Sequence, residues 1–454
     1  MNPVRFEILL ELFGDDDTLS IFTEQSMVQS WLDVEVALAG AQAELGTITA
    51  ATARAIADAA TLANLDLSAL WSSARIVGYP ILPLITQIEA KLPPEHAGSV
   101  HLGATTQDIM DSGLALQLRA THRRQHDLIT TLGDQLAEVC ANHVQTVMAA
   151  RTHAQQAVPT VLGAKLSVYL AEVSRQRARL ATAAADVTVV SLFGAGGTSS
   201  AYGPDAALLR QRVAERLGLR NCDVPWHVAR DSLAAYASAC TSAAATCARL
   251  AREVIDLART EIAEVSEAGG HLRGASSTMP QKQNPISSEG IIGLAVSAEA
   301  LNTAMPRVME AGHERAAGEW QIELHVLPQI VCLANSALLT TVDMLAGLQI
   351  HPERMRRNLG ADGDLIMAEA YMMHLTPVLG RASAHELVYA AASQARESGE
   401  SLLAVLRRTS PPAARDQLSA ELQPDDYLGD PAHVISSALS AWRTQGEKSD
   451  ESGA

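Results

Sequence analysis

Aromatic side chains and lysines are both scarce in this chain of 454 residues. Phe, Trp and Tyr together make up 4% of it, which disfavours a β-sandwich or barrel, because those folds are rich in aromatic and β-branched residues. Acidic residues outnumber basic ones by 51 to 34, for a net charge of −17. Since nucleic acid is bound by a basic surface, we expect no nucleic-acid partner. An anionic substrate would need a few locally placed cations.

Cysteines, membrane segments and metal motifs are equally poorly represented. The five cysteines are odd in number and lie far apart without CxxC spacing: Cys140, Cys222, Cys240, Cys247 and Cys332. We therefore expect reduced thiols in a cytoplasmic protein. The N-terminus turns acidic where a signal peptide would be apolar, and no uninterrupted apolar run is long enough for a bilayer, so we expect no membrane partner. The sequence contains no HExxH motif and no cluster of Cys and His residues, so we expect no metal and no cofactor.

Apolar residues recur at helical spacing along most of the chain, which predicts an all-α fold. A stretch rich in Gly and Pro, residues 78–106, and the pair His351-Pro352 divide it into three helical domains: 1–110, 111–350 and 351–454. The central domain holds the longest helical patterns, one of them over residues 114–149. These patterns are apolar on more than one side, which indicates a bundle that also packs against other subunits.

The segment 269–290, GGHLRGASSTMPQKQNPISSEG, interrupts two strong helical patterns with Gly, Ser, Pro and Asn. We expect a mobile loop there. It carries Lys282, and the chain has only four lysines. A lysine near Ser276, Ser277 and Asn284 can hold a carboxylate or stabilise a negatively charged intermediate. A solvated interhelical loop is the alternative interpretation.

This loop resembles the Gly-Ser-Ser-x-Met-Pro-x-Lys-x-Asn signature of the fumarase/aspartase superfamily, with Ala275 in place of the glycine. The similarity extends over nearly the whole chain. It looks nearest to the branch of 3-carboxy-cis,cis-muconate cycloisomerases and adenylosuccinate lyases. The other matching blocks are HLGATTQD (101–108), RTHAQ (151–155), WHVARD (226–231) and HER (313–315).

The resemblance implies a homotetramer whose central domains form a 20-helix core, with each active site shared between subunits. It also implies a reaction without a cofactor on a small di- or tricarboxylate: a proton is removed next to a carboxylate and a leaving group departs from the neighbouring carbon. Ser276 would be the base, acting as an alkoxide that the loop must stabilise. His153 would donate a proton on the leaving-group side.

The matched blocks also imply contacts to the substrate. Lys282 and Asn284 would hold the carboxylate that gains charge. Neutral hydrogen-bond donors would come from residues 105–107 and from Gln155, near His153. A bidentate clamp would come from one of two arginines. The implied substrate-binding residues besides Lys282 and Asn284 are Thr105, Thr106, Gln107, Gln155, Arg315 and Arg230. The glycine-rich stretch 193–199 lacks the last position of the dinucleotide fingerprint, and we expect it near the substrate instead.

Three departures from the relatives bear on the reaction. The first domain lacks the His-Asp-Val segment of adenylosuccinate lyases, which disfavours a nucleotide substrate. Many bacterial carboxymuconate cycloisomerases have tryptophan where this chain has His153, and Gln283 replaces a common arginine. The leading hypothesis is therefore β-elimination from a substituted succinate, most simply C–N cleavage that releases fumarate. The alternatives are a 3-carboxy-cis,cis-muconate cycloisomerase and a non-catalytic helical oligomer.

Overall fold

The computed structural model describes residues 7–269, 273–315 and 318–452, with side chains up to residue 444. Helices make up 69% of the structure and strands 5%, so the expectation of a mostly helical chain is confirmed. The helices of the first half are α1 (Ile8–Phe13), α2 (Asp16–Ile21), α3 (Glu24–Glu44), α4 (Ala50–Ala59), α5 (Leu67–Val77), α6 (Ile81–Glu89), α7 (Thr106–Asn142), α8 (Leu162–Val187) and α9 (Ala206–Leu217).

The second half continues the helical series from Asp231. Its helices are α10 (Asp231–Ala258), α11 (Ile286–Asn302), α12 (Met305–Val308), α13 (Glu319–Ala346), α14 (Pro352–Asn358), α15 (Ala368–Leu379), α16 (Arg381–Ser398), α17 (Leu402–Thr409), α18 (Pro412–Arg415) and α19 (Pro431–Ser452). The strands form two antiparallel pairs: β1 (Val147–Thr152) with β2 (Gln155–Val161), and β3 (Val265–Ser266) with β4 (Gln349–Ile350).

The hairpin of β1 and β2 corrects the predicted helix over 114–149. Helix α7 ends at Asn142, and the following residues pair with β2, so that Val147 lies opposite Val161 and Thr152 opposite Gln155. A short apolar run such as VMAA fits a helix and a buried strand equally well. The pairing with β2 makes this run a strand. The apolar pattern of the run itself carries no information about that pairing.

The chain divides into two compact units, each discontinuous in sequence. Unit 1 comprises the residues up to Ile129, Gln176–Cys247 and Gly290–Thr340, and unit 2 comprises Thr130–Arg175, Ala248–Glu289 and the residues from Thr341 onward. The boundaries fall inside α7, α8, α10, α11 and α13. They differ from residues 110 and 350, so the division into three domains stays a prediction.

In unit 1, helix α3 packs against α4 and α9 around a continuous apolar core. Val28, Leu32 and Leu38 of α3 are buried there, together with Ile56 of α4 and Val213 of α9. Each fully buried aliphatic side chain contributes about 1.5–3 kcal/mol of transfer free energy. This core supports the N-terminal end of α7, which carries the candidate site residues of unit 1.

In unit 2, α15, α16 and α17 pack in sequence against one another, and the hairpin packs against α14. Helix α19 approaches α7 closely at Gly133, where an added Cβ would lie 2.1 Å from the ring of Trp442. The indole Nε1 of Trp442 donates to Asp134 at 2.8 Å. A glycine inside this helix is explained by that contact, because any larger residue would displace the indole.

Helix α13 is long and apolar enough to span a membrane by length and composition. Polar residues such as Asn335 and Ser336 interrupt its sequence, so it is not an uninterrupted apolar run, and the expectation of no membrane partner stays a prediction. Within its most apolar window, 67% of the residues are buried inside the protein, and core helices of other proteins pass the same test. The five cysteines form no disulfide with one another, and four of them are buried. Burial raises the pKa of Cys140 to about 11 and that of Cys240 to about 12.

Candidate active site

The threonine turn, Thr105-Thr106, stands at the N-terminus of α7 in unit 1, with Thr106 as the first residue of the helix. The backbone N–H of Thr105 donates to Asp108 Oδ2 at 3.1 Å, as in the reciprocal capping of a helix start. Both threonines are half-buried. A helix N-terminus presents unpaired N–H groups and a partial positive charge, so this end of α7 suits an anion such as a carboxylate.

Gln107 is buried, and its Nε2 donates to the carbonyl oxygen of His227 at 2.8 Å. Its Oε1 has no hydrogen-bond partner within the described part of the chain. The side chain therefore connects the start of α7 to the segment that leads into α10. One of its two amide N–H groups is used inside the protein, and the contact to a substrate stays a prediction.

Asp108 is the residue of this region that the sequence analysis did not single out. Its side chain is fully buried and accepts hydrogen bonds from several segments of unit 1. The signal was present, because an acidic residue stands inside the matched block 101–108. An aspartate near a helix start is usually only a cap, so the pattern indicates no further role for it.

The glycine loop, residues 193–199, follows a short parallel bridge between Val189 and Arg220. Gly194 and Gly197 have φ values of 72° and 73°, which the absence of a Cβ allows at low cost. Arg315 is half-buried, and its Nη2 donates to Ala195 O at 2.9 Å. Arg315, one of the two arginine candidates, therefore lies against this loop, in the same unit as the threonine turn.

Arg230 is fully buried between two carboxylates. Its Nη1 donates to Asp111 at 2.9 Å, its Nε donates to Glu323 at 2.8 Å, and its Nη2 donates to both. Burial acts to lower the pKa of Arg230, but the two carboxylates outweigh it and the net shift is upward. Because its nitrogens are engaged inside the protein, we assign Arg230 to the framework and leave it out of the proposed contacts to substrate.

The serine loop, residues 273–285, begins the other group of candidates and belongs to unit 2. Residues 270–272 of the predicted loop 269–290 lie outside the described residues. Ser276 Oγ accepts hydrogen bonds from the backbone N–H groups of Thr278 at 3.3 Å and Met279 at 3.1 Å. Two N–H donors directed at one oxygen favour its anionic form, as in an oxyanion hole.

The base of the serine loop is closed by backbone pairing. Ala275 and Gln283 form an antiparallel bridge, and both the backbone N–H and the side-chain Nδ2 of Asn284 donate to Gly274 O, at 2.9 and 3.1 Å. At the C-terminal end, Glu267 accepts from the N–H groups of Ser287 and Ser288 at the start of α11. These contacts give the loop a defined conformation. Asn284 closes the loop through its hydrogen bonds to Gly274 O and is also a candidate for binding the substrate.

A cavity of about 680 Å³ lies beside the serine loop. That volume suits a small organic acid, since ligand pockets span roughly 300–1,000 Å³. Two of the predicted ligands, Lys282 and Asn284, line it. The other charged residues of its wall are Arg259, Arg273, Glu267 and Glu289. The cations concentrate positive charge in a chain that is strongly acidic overall.

His153 and Gln155 lie at the tip of the hairpin in unit 2, both exposed. The two-residue turn is His153-Ala154, with φ values of 50° and 62°. Such a turn matches the twist of the strands but favours Gly or Asn, so it costs these residues conformational energy. Gln155 Nε2 donates to Ala154 O at 3.2 Å. The strained turn presents the imidazole outward.

Below the tip, the hairpin is anchored by a buried ion pair. Arg151 donates to the two carboxylate oxygens of Glu264 at 2.9 and 2.6 Å, and Asn358 Nδ2 donates to the same carboxylate at 2.8 Å. Glu264 is fully buried. This pairing fixes the first residue of the RTHAQ block, and with it the strand that leads to His153.

The structure therefore sorts the predicted residues into two groups. In unit 1 lie Thr105, Thr106, Gln107, Arg230 and Arg315, and in unit 2 lie His153, Gln155, Ser276, Lys282 and Asn284. Among the described residues, no group of three or more His, Cys, Asp or Glu side chains is arranged to hold a metal ion. The absence of a cofactor stays a prediction.

Comparisons with known proteins identify the family. The family model described as Lyase matches residues 14–298, and that described as adenylosuccinate lyase C-terminus matches residues 364–438. The 3-carboxy-cis,cis-muconate cycloisomerase of Pseudomonas aeruginosa is 38% identical over 93% of this chain and 92% of its own length. The N-acetyl-S-(2-succino)cysteine lyase of Dickeya dadantii is 30% identical over 94% of each chain.

Among solved structures, the 3-carboxy-cis,cis-muconate lactonizing enzyme of Pseudomonas putida has a TM-score of 0.90 and 32% identity. The match covers 97% of this chain and 100% of that one. Sequence and fold therefore agree over the whole length of both proteins. The chain belongs to the fumarase/aspartase superfamily of lyases, in the branch of the 3-carboxy-cis,cis-muconate cycloisomerases and adenylosuccinate lyases.

Proposed function

We propose that this chain is a cofactor-independent cytoplasmic lyase that catalyses reversible β-elimination from a substituted succinate. The favoured reaction is cleavage of a C–N bond, which releases fumarate and an amine. The proton leaves the carbon next to one carboxylate, whose oxygens take up the charge as an aci-carboxylate. The bond to the leaving group then breaks, and its electron pair departs with the nitrogen.

The observation that carries the proposal is the pair of backbone N–H groups directed at Ser276 Oγ. Free serine is a poor base, because its hydroxyl holds its proton far above neutral pH. Donors that favour the alkoxide lower the cost of forming it. We assign the base to Ser276 on this ground, and its neighbour Ser277 is exposed in the same loop.

The aci-carboxylate needs fixed positive charge, which we assign to Lys282 with Asn284 on the wall of the cavity. The second carboxylate goes to the N-terminus of α7 and to Arg315. His153 gives the proton that the leaving nitrogen needs, because an imidazolium group can act as a general acid. Gln155 is placed beside it on the hairpin. Arg230 and Gln107 hold the framework in this proposal.

We further propose a homotetramer in which the two groups of residues come from different subunits and the central helices form a 20-helix core. Long helices expose large aliphatic side chains, with Val168 of α8 at 52% exposure, Val296 of α11 at 58% and Leu324 of α13 at 42%. Exposed apolar residues on bundle helices favour association. Light scattering on the eluted protein measures the mass, and a monomeric mass at catalytic concentrations would contradict this part of the proposal.

A second candidate is 3-carboxy-cis,cis-muconate cycloisomerase, which the 38% identity to the Pseudomonas aeruginosa enzyme favours. His153 is our reason for preferring elimination, since a proton donor assists a poor leaving group and lactone formation breaks no such bond.

A substrate panel separates the two. It contains amino-, N-substituted, S-substituted and hydroxy-succinates, with 3-carboxy-cis,cis-muconate as the contrast. The ultraviolet absorbance of fumarate reports elimination. Turnover of an N-substituted succinate supports the leading proposal. Turnover of carboxymuconate with no fumarate from any succinate would replace it with the second candidate, and a sulfur-linked substrate turning over best would move the cleaved bond from C–N to C–S.

A further inference from the structure

Asp108 has no exposed surface and is surrounded by hydrogen-bond donors from several parts of unit 1. Its Oδ1 accepts from Phe193 N at 3.0 Å and from His227 Nε2 at 2.8 Å. Its Oδ2 accepts from Thr105 N at 3.1 Å and from Gly194 N at 2.8 Å, and the hydroxyl of Tyr202 lies 3.5 Å away. A buried carboxylate costs several kcal/mol unless its oxygens are fully satisfied.

These contacts join the threonine turn to the glycine loop. The proposed function assigns one substrate carboxylate to the threonine turn and to Arg315, which contacts the glycine loop. A single oxygen, Oδ2, accepts hydrogen bonds from both the threonine turn and the glycine loop. One residue further along the loop, Ala195 O accepts from Arg315. The spacing between the N-terminus of α7 and the arginine therefore depends on the carboxylate that fixes Gly194.

We propose that Asp108 is a positioning residue, which sets the threonine turn and the glycine loop, and through that loop Arg315, at the separation that binds one carboxylate of the substrate. The inference rests on the proposed function, because it takes the threonine turn and Arg315 as substrate contacts. Asp108 itself is buried and acts only through them.

The decisive variant is Asp108→Asn, which preserves the size of the side chain. In one orientation of the amide, its NH₂ faces the N–H groups of Thr105 and Gly194, and in the other it faces those of Phe193 and His227. Either way two donors lose their acceptor and meet another donor. We expect KM for the succinate to rise about tenfold or more, because hydrogen bonds to charged groups are worth about that factor each. We expect kcat to change less, the pattern of lost uniform binding.

Ser112→Ala is the matched control. Ser112 lies four residues further along α7, and its hydroxyl joins the helix to Ser191, accepting from its N–H and donating to its carbonyl, both at 2.9 Å. The variant also leaves the buried N–H of Ser191, in the segment before the glycine loop, without this partner. It should lower thermal stability and leave KM unchanged.

A second pair of variants keeps the test informative if Asp108→Asn does not fold. His227→Ala removes one donor to Oδ1, whereas His227→Gln can place an amide N–H near the position of Nε2. We expect His227→Ala to raise KM and His227→Gln to restore it towards the wild-type value. A merely structural role predicts that both lower stability without this difference in KM.

Arg315→Gln separates failure of the inference from failure of the proposed function. If it leaves KM for succinates unchanged, the carboxylate site of unit 1 is wrong, and with it the premise. If Arg315→Gln raises KM but Asp108→Asn does not, the positioning role of Asp108 is overturned. It is also overturned if Ser112→Ala raises KM as much as Asp108→Asn.

Discussion

Gly274 is the position at which the serine loop is most sensitive to a single added methyl group. Its φ of +67° lies in the left-handed region, and an added Cβ would meet Asn284 O at 2.5 Å and Asn284 N at 3.2 Å. Both neighbours are backbone atoms of the residue that closes the loop. We predict that Gly274→Ala impairs catalysis while leaving the helical framework intact.

The size of the effect follows from two costs. A non-glycine residue held in the left-handed region costs about 1 kcal/mol or more. Relief of the contact requires the two sides of the loop to separate, which weakens the bonds from Asn284 to Gly274 O by about 1 kcal/mol in net terms. If the loop must hold this conformation in the transition state, about 2 kcal/mol is added to the barrier, and kcat/KM falls roughly thirtyfold.

The assay is kcat/KM for the best substrate of the panel, with thermal unfolding measured in parallel. Gly269→Ala is the control, because an added Cβ there has no neighbour within 4 Å among the described residues and no left-handed φ to strain. We expect Gly269→Ala to remain within twofold of wild type, roughly the effect of a surface substitution. Wild-type kcat/KM in Gly274→Ala, or an equal loss in Gly269→Ala, would refute the reasoning.

Three further predictions concern the proposed base, the proposed acid and stability in acid. Ser276→Ala should abolish turnover with the oligomer still assembled, while Ser277→Ala retains it; measurable turnover in Ser276→Ala at near-normal rate would remove the base. His153→Ala should slow substrates with poor leaving groups more than those with good ones, in kcat across a leaving-group series, and an equal loss would contradict proton donation. Burial lowers the pKa of His122 to about 4 from its usual 6.5, so the unfolded chain takes up a proton there at a higher pH than the folded chain does. Stability from this residue is therefore lost as pH falls from about 6.5 to 4, and His122→Gln should reduce the drop in melting temperature over that window.

Much of the helical architecture followed from local patterns, because a helix closes its hydrogen bonds within one segment. The pattern that starts after Pro159 predicted α8 closely, and the segment from Asp231 predicted α10 up to Ala258. The error over 114–149 arose where the partner lies elsewhere in the sequence. Strand pairing between β1 and β2 is such a case, and it also placed His153 on a hairpin tip.

The sequence indicates candidate site residues by their own chemistry, whereas the contacts that their neighbours make with them appear only in the structure. Ser276 and Lys282 stood out by motif and by the scarcity of lysine. Arg230 looked like a substrate clamp, yet Asp111 and Glu323, which are distant in sequence, surround it. Asp108 looked like a helix cap.

The sequence by itself determined the family, the mostly helical fold and the residues capable of proton transfer, because a signature motif and helical periodicity are local properties of the chain. Only the tertiary structure decided which polar groups are already satisfied inside the protein. It joined Asp108 to the glycine loop and buried Arg230 between two carboxylates. The physical reason is that a charged side chain can bind a substrate only when it is not already paired inside the protein, and folding brings those partners together.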